Sequence, residues 1–114
     1  KPSIILGLGQ YPRGRKIRIE RKAINLKRKS RKEKPKRISR SKQTHIMVNT
    51  RLKRDKDSWI SYNAGMYVCN FSMWIICNFL RNKKIRFAFI HIPKDYDVNK
   101  AVKFVESKIK EMSK

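Results

Sequence analysis

From Met66 to Leu80 the chain is apolar almost all round, broken only by Asn70, Ser72 and Asn78. That pattern predicts a helix with few exposed sides, entered through Asn63-Ala64-Gly65. It ends at Arg81-Asn82-Lys83-Lys84, a basic exit that suits the negative end of a helix dipole. Residues 85–92, IRFAFIHI, predict a strand that Pro93 terminates. Val98, Ala101, Val102, Val105, Ile109 and Met112 then recur at three-and-four spacing behind Asp95 and Asp97, the signature of an amphipathic closing helix. Upstream, residues 3–8 (SIILGL) form a continuous apolar run, which predicts a strand buried on both faces, started by Pro2 and closed at Gly7 and Gly9. Ile17, Ile19, Ala23 and Ile24 alternate with charges and predict a half-exposed extended segment. THIMV (44–48) and SWISY (58–62) are rich in β-branched and aromatic residues and predict short strands; residues 49–57 between them are too few for a full helix. Strand, helix, strand, helix in the second half gives an α/β fold, a three-layer α/β/α arrangement with a mostly parallel sheet, as one domain over residues 1–114.

Charge alters this picture in one place. The chain carries a formal +23, from 31 Lys and Arg against 8 Asp and Glu. Self-repulsion of that size weakens a compact state unless counterions or a polyanion screen it. Acids are too scarce for the paired surface networks of hyperthermophile proteins. The run that begins at Lys27 and ends at Lys42 contains ten Lys or Arg and one bulky apolar residue, Ile38. It cannot bury enough surface to offset ordering entropy, which predicts a basic flexible loop over residues 27–43. Such a run binds polyanions, nucleic acid included, weakly and without sequence preference, and no aromatic residue interleaves it to stack on bases. A merely solvated loop is the plainer reading of the same composition.

Cys69 and Cys77 stand eight positions apart, neither a metal-ligand spacing nor a redox pair, and two cysteines make no secreted disulfide framework. A reducing, cytoplasmic setting follows. The apolar run after Gly65 falls short of the ~20 residues of a membrane span, and the first ten residues lack the pattern of a signal peptide. Three residues can make a nucleophilic site. Cys69 falls in the first turn of the predicted helix, where free N–H groups and the dipole lower a thiol pKa and can receive an oxyanion. His91 falls near the C-terminal end of the strand after that helix, the ligand-binding end of a parallel sheet. Glu20 can fix the imidazole's tautomer. Spacing alone does not decide among readings: a lone cysteine on an apolar helix is more often packing, a histidine between isoleucines a satisfied core residue, and a glutamate among arginines a surface ion pair. Cys77 keeps the packing role.

The stretches around these residues resemble one family. SYNAGMYVCN (61–70) resembles the active-cysteine segment of the pyrrolidone-carboxylate peptidases (pyroglutamyl peptidase I), with the pattern S-x-x-A-G-x-Y-x-C-N met by Ser61, Ala64, Gly65, Tyr67, Cys69 and Asn70. FAFIHIP (87–93) is similar to the family's GFIHVP segment. GLGQYPRGRKIRIERKAIN (7–25) is similar to its segment containing G-Q and [IV]-E-R-x-A-[IV]-N, through Gly9, Gln10, Glu20, Arg21, Ala23, Ile24 and Asn25. HIMVNTRL (45–52) is a fainter match. The resemblance implies Cys69 as nucleophile, His91 as general base and later acid, Glu20 as the group orienting His91, and Gln10 and Val68 at substrate-binding positions. It implies a cysteine peptidase that removes N-terminal pyroglutamate from peptides through a thioester, with no metal or organic cofactor, and with homo-oligomers as a common state. The family's oxyanion arginine falls on Ser30, between Arg28 and Arg31. The family's usual chain is close to twice this length and opens on a strand and a G-F-x-P-F-G-G-type loop that have no counterpart here, so the implied fold is an incomplete phosphorylase/hydrolase-like sandwich.

Overall fold

The computed structural model describes residues 3–114, so the strand start expected at Pro2 lies outside the described residues. Six strands and two helices follow in the order β1 (Ile4–Tyr11), β2 (Ile17–Glu20), β3 (Lys22–Ile24), β4 (His45–Met47), β5 (Ser58–Ser61), α1 (Val68–Phe79), β6 (Arg86–Pro93) and α2 (Val98–Met112). Four strands form the main sheet in the order β1-β6-β2-β5, and β3 pairs with β4 apart from it. Within the main sheet β1 runs parallel to β6 and β2 parallel to β5, while β2 and β6 are antiparallel. The sheet is mostly parallel, as the alternation of elements predicts.

The two helices cover opposite faces, and β6 shows why. Its side chains alternate across the sheet. Phe87 and Phe89 join Ala23, Met73, Trp74 and Cys77 in one buried cluster beneath α1. Ala88 and Ile90 join Ile17, Ile19, Leu52, Phe104 and Met112 in the other, beneath α2. Asn49 stitches the start of β6: its side chain accepts from the Phe87 N–H and donates to the Ile85 carbonyl.

Several expectations change on this frame. β1 is an edge strand, half-buried along its length with Leu8 53 % exposed, and it continues through both glycines that were expected to close it. β2, expected half-exposed, is central, with Ile17, Ile19 and Glu20 buried, because it lies between β6 and β5. α1 forms where predicted, but Val68, Phe71, Ile75 and Phe79 make an exposed stripe along it. α2 also forms, yet it buries Phe104, Lys108 and Met112, leaving Val98, Val102 and Ile109 of the predicted stripe exposed. Lys108 tolerates burial because its ammonium donates to the Lys53 carbonyl and to Glu111.

The basic segment holds neither a helix nor an extended strand, but it is tied to the body. Lys27 and Lys36 exchange two backbone hydrogen bonds of 2.7 and 2.9 Å. The buried Asn25 side chain accepts from the N–H groups of Ile38 and Ser39, each at 2.9 Å, and donates to the Ser39 and Gln43 carbonyls. One asparagine thus supplements the single apolar anchor of the stretch, Ile38, which packs against the cluster beneath α1.

Candidate active site

The loop between β5 and α1 sets the helix that carries Cys69 in place. Gly65 adopts φ +83, which a residue with a side chain adopts only under strain, so the turn needs glycine. Asn63 closes it by accepting from the Gly65 N–H at 3.0 Å. Tyr67 then stands at the N-cap without a side-chain hydrogen bond, leaving N–H groups of the first turn free of side-chain capping. Asn70, fully buried, locks this turn against β3: its side chain accepts from the Ile24 N–H and donates to the carbonyls of Ile24 and Leu26, all within 3.1 Å.

Cys69 is the second residue of α1, half-buried and facing β1 and β6. Opposite it, Gly9 pairs with His91 in the β1–β6 register. A methyl group on Gly9 would lie 2.6 Å from Cys69 Sγ and 3.1 Å from His91 Nε2, so sulfur and imidazole both converge on the space that this glycine leaves open. On the far side of the ring, His91 Nδ1 donates to Glu20 Oε2 at 2.7 Å, with both residues buried. The tautomer follows from this bond. A carboxylate on Nδ1–H leaves Nε2 as the free nitrogen, and Nε2 is the one on the cysteine's side. Tyr11 and Phe89 set their rings edge-on to the imidazole, at 5.8 and 5.3 Å between centroids.

Gln10, Glu20, Val68, Cys69 and His91, the five residues singled out from sequence, line one cavity of about 370 Å³ together with Tyr11, Arg18 and the 63–65 turn. The route to this juxtaposition differs from the one expected. β6 runs antiparallel to β2 and, through it, to β5, so the C-terminal ends of β5 and β6 do not share an edge of the sheet. The 62–67 loop carries the chain back over Gly9 instead, and α1 begins there. The electrostatics differ as well. Burial, and secondarily the Glu20 carboxylate, push the Cys69 thiol above its ordinary value, where a helix N-terminus alone would lower it.

Sequence reasoning passed over Arg18, Tyr11 and the space at Gly9. Arg18 Nε sits 3.5 Å from Glu20 Oε2, and its guanidinium also donates to Ser61 Oγ and the Asn63 carbonyl, joining β2 to the loop before α1. Its signal was present: residues two apart on a strand share a face, so Arg18 had to flank Glu20. Of the two arginines beside Ser30, Arg28 lies near the start of α1. Its N–H donates to the Met66 carbonyl and its guanidinium lies 5.9 Å from the Tyr67 ring. Among the described residues no group of three or more side chains is placed to hold a metal ion, and no helix is long and apolar enough to cross a membrane.

An α/β/α sandwich carrying a helix-borne thiol, an imidazole and a buried carboxylate in one cavity defines a class, that of α/β proteins with a cysteine–histidine–acid cluster. Within it, the sequence profile described as pyroglutamyl peptidase matches residues 43–101, and the chain belongs to that family. Solved structures agree. The pyroglutamyl peptidase I of Bacillus amyloliquefaciens is 28 % identical with a TM-score of 0.71, over 81 % of this chain and 51 % of that one. The pyrrolidone carboxyl peptidase of Fervidobacterium islandicum AW-1 is 25 % identical with a TM-score of 0.65, over 80 % and 51 %. That of Thermococcus litoralis shares the fold at 23 % identity and a TM-score of 0.67, over 81 % and 49 %. The chain thus spans about half the length of the solved relatives it matches. No curated protein sequence gives a significant match.

Proposed function

We propose that this chain carries the reacting groups of a cysteine peptidase that releases N-terminal pyroglutamate from peptides. The observation that carries the reading is the convergence of Cys69 Sγ and His91 Nε2 on the space over Gly9, with Nδ1 held by Glu20. Nε2 takes the thiol proton as sulfur attacks the pyroglutamyl carbonyl carbon, and Glu20 stabilises the imidazolium that forms. The first-turn N–H groups of α1 receive the oxyanion, the role that a helix N-terminus suits. Collapse breaks the C–N bond, and the imidazolium gives its proton to the departing amine. Water, deprotonated by the same nitrogen, then hydrolyses the thioester and restores the thiol. Gln10 and Val68 line the cavity in which the lactam ring would sit.

The test is release of a fluorescent amine from a pyroglutamyl-amide by the whole chain, compared with Cys69→Ala and Cys77→Ala. Turnover by the parent and by Cys77→Ala, and none by Cys69→Ala, supports the reading. Turnover that survives Cys69→Ala, or a parent with no turnover, overturns it.

A further inference from the structure

We propose that the basic hairpin and the start of α1 form a binding site for single-stranded nucleic acid, which adjoins the Cys69 cavity and shares Tyr67 and Val68 with it. The sequence offers no aromatic within the basic run, but folding brings two to it. Lys27, Arg28, Lys29 and Lys36 line a cavity of about 440 Å³ whose other wall carries Tyr67 and Phe71. These residues are 42 % and 37 % exposed. Lys27 lies 5.8 Å from the Phe71 ring and Arg28 5.9 Å from the Tyr67 ring, placing cations and π-faces within one nucleotide's reach.

The wall is built rather than accidental. The Lys27–Lys36 bridge fixes the hairpin, and the Arg28 N–H bonded to the Met66 carbonyl fixes it against the segment leading into α1. The charge is also unspent. Residues 27–42 hold ten Lys and Arg and one acid, Glu33, and none of the ion pairs among the described residues involves this segment. Glu33 lines the cavity too, its carboxylate accepting weakly from the Lys29 N–H at 3.4 Å. A ligand with spaced negative charges and flat apolar faces matches both features, the phosphates releasing counterions from the lysines and a base stacking on Phe71. An acidic polypeptide matches the charge alone and leaves the rings unused.

The experiment is fluorescence anisotropy with a short labelled single strand, as DNA and as RNA of the same sequence, titrated with the whole chain. Heparin and poly-glutamate serve as probes without bases. Affinity for the strand should fall steeply between about 50 and 200 mM salt, with a log–log slope of about −2 to −3 for three or four phosphate contacts. Phe71→Leu, which keeps apolar cover but removes the ring, should weaken strand binding by about 5- to 100-fold while heparin binding stays unchanged, and Phe71→Trp should restore it. Strand affinity unaltered in Phe71→Leu, equal loss for strand and heparin, or poly-glutamate competing as well as the strand would each overturn the proposal. The last outcome would assign the surface to an acidic protein.

Discussion

Replacing Gly9 with alanine tests whether the open space over β1 is what lets the thiol and imidazole meet. The new Cβ would stand 2.6 Å from Cys69 Sγ and 3.0 to 3.1 Å from His91 Cδ2 and Nε2. Contact between such atoms is favourable only at about 3.5–4.0 Å, so the overlap with sulfur is about 1 Å. Something must yield. The imidazole is pinned by the 2.7 Å bond to a fully buried carboxylate and flanked by two aromatic rings, whereas Sγ turns about a single torsion. The sulfur therefore rotates away from Nε2. Overpacking costs about 1–3 kcal/mol, which for a chain of this size lowers the melting temperature by roughly 4–15 °C. The diagnostic effect is on reactivity: the rate of Cys69 alkylation by iodoacetamide at neutral pH, followed by peptide mass mapping, should drop at least about tenfold as the sulfur turns away from the imidazole. Gly7→Ala is the control. Its Cβ would strike the Phe89 ring at 2.4 Å, and its nearest contacts are all to that ring, so stability should fall while Cys69 alkylation keeps its rate. Undiminished alkylation in Gly9→Ala, or an equal drop in both variants, refutes the argument that this glycine shapes the site.

Three further outcomes follow from the same structure. Glu20→Gln should separate two quantities that usually move together: it removes a charge that raises the Cys69 thiol, so the pH midpoint of alkylation shifts down, while release of the reporter amine falls by about 10²–10⁴ because imidazolium loses its counter-charge. A midpoint that stays or rises contradicts this. Asn70→Ala deletes three hydrogen bonds from α1, two to Ile24 of β3 and one to Leu26 just beyond it, and strands backbone groups in a buried place, which should cost about 2–4 kcal/mol in urea unfolding; a loss below about 1 kcal/mol would show that the helix start is held by something else. Burial pushes the Cys77 thiol from an ordinary 9.0 up to about 12, against a smaller opposing effect of Arg81. The unfolded chain then releases that proton first, so stability falls as pH rises from about 9 towards 12, by up to about 1.4 kcal/mol per unit, and Cys77→Ala should unfold with a shallower alkaline slope than the parent.

The elements that could be read from sequence are those whose signals are local. α1 and α2 follow from apolar periodicity with a glycine turn before one and aspartates before the other, and β4 to β6 from β-branched and aromatic runs with sharp ends. Direction and neighbourhood were not legible. Nothing in residues 58–93 says that β6 inserts antiparallel beside β2 instead of parallel to β5, because that choice is made by the pairing of β6 with β1, more than seventy residues away in the chain. The facing of α2 was hidden for a similar reason. Its valines form the better stripe on paper, but Phe104 and Met112 reach the Ile17, Ile19 and Ala88 surface, and the lysine between them finds a carbonyl and a carboxylate to satisfy it. At the site, composition and spacing left Cys69, His91 and Glu20 each more ordinary than functional, and only the resemblance in three ordered segments grouped them.

One feature of the site could nonetheless have been found by matching strands rather than motifs. Gly7 pairs with Phe89 and Gly9 with His91, so each small residue of G-L-G faces a ring of F-I-H across the parallel ladder. The match is steric. A Cβ at Gly7 would enter the Phe89 ring and one at Gly9 would enter the space shared by His91 and Cys69, whereas Leu8 turns to the other face. A slip of one residue would turn the glycines to the opposite face and set the Leu8 or Gln10 side chain against those rings. A one-residue slip is therefore disfavoured, and the observed register is the one that opposes Gly9 to the imidazole. Glu20 is fixed by the second ladder, where Arg18 faces His91 and Glu20 faces Phe89, so the carboxylate reaches Nδ1 diagonally from one strand to the next. The ladder that docks the edge strand on the sheet is thus also the one that sets Gly9 against sulfur and imidazole, which is why a substitution at Gly9 reports on both while one at Gly7 reports on strand docking.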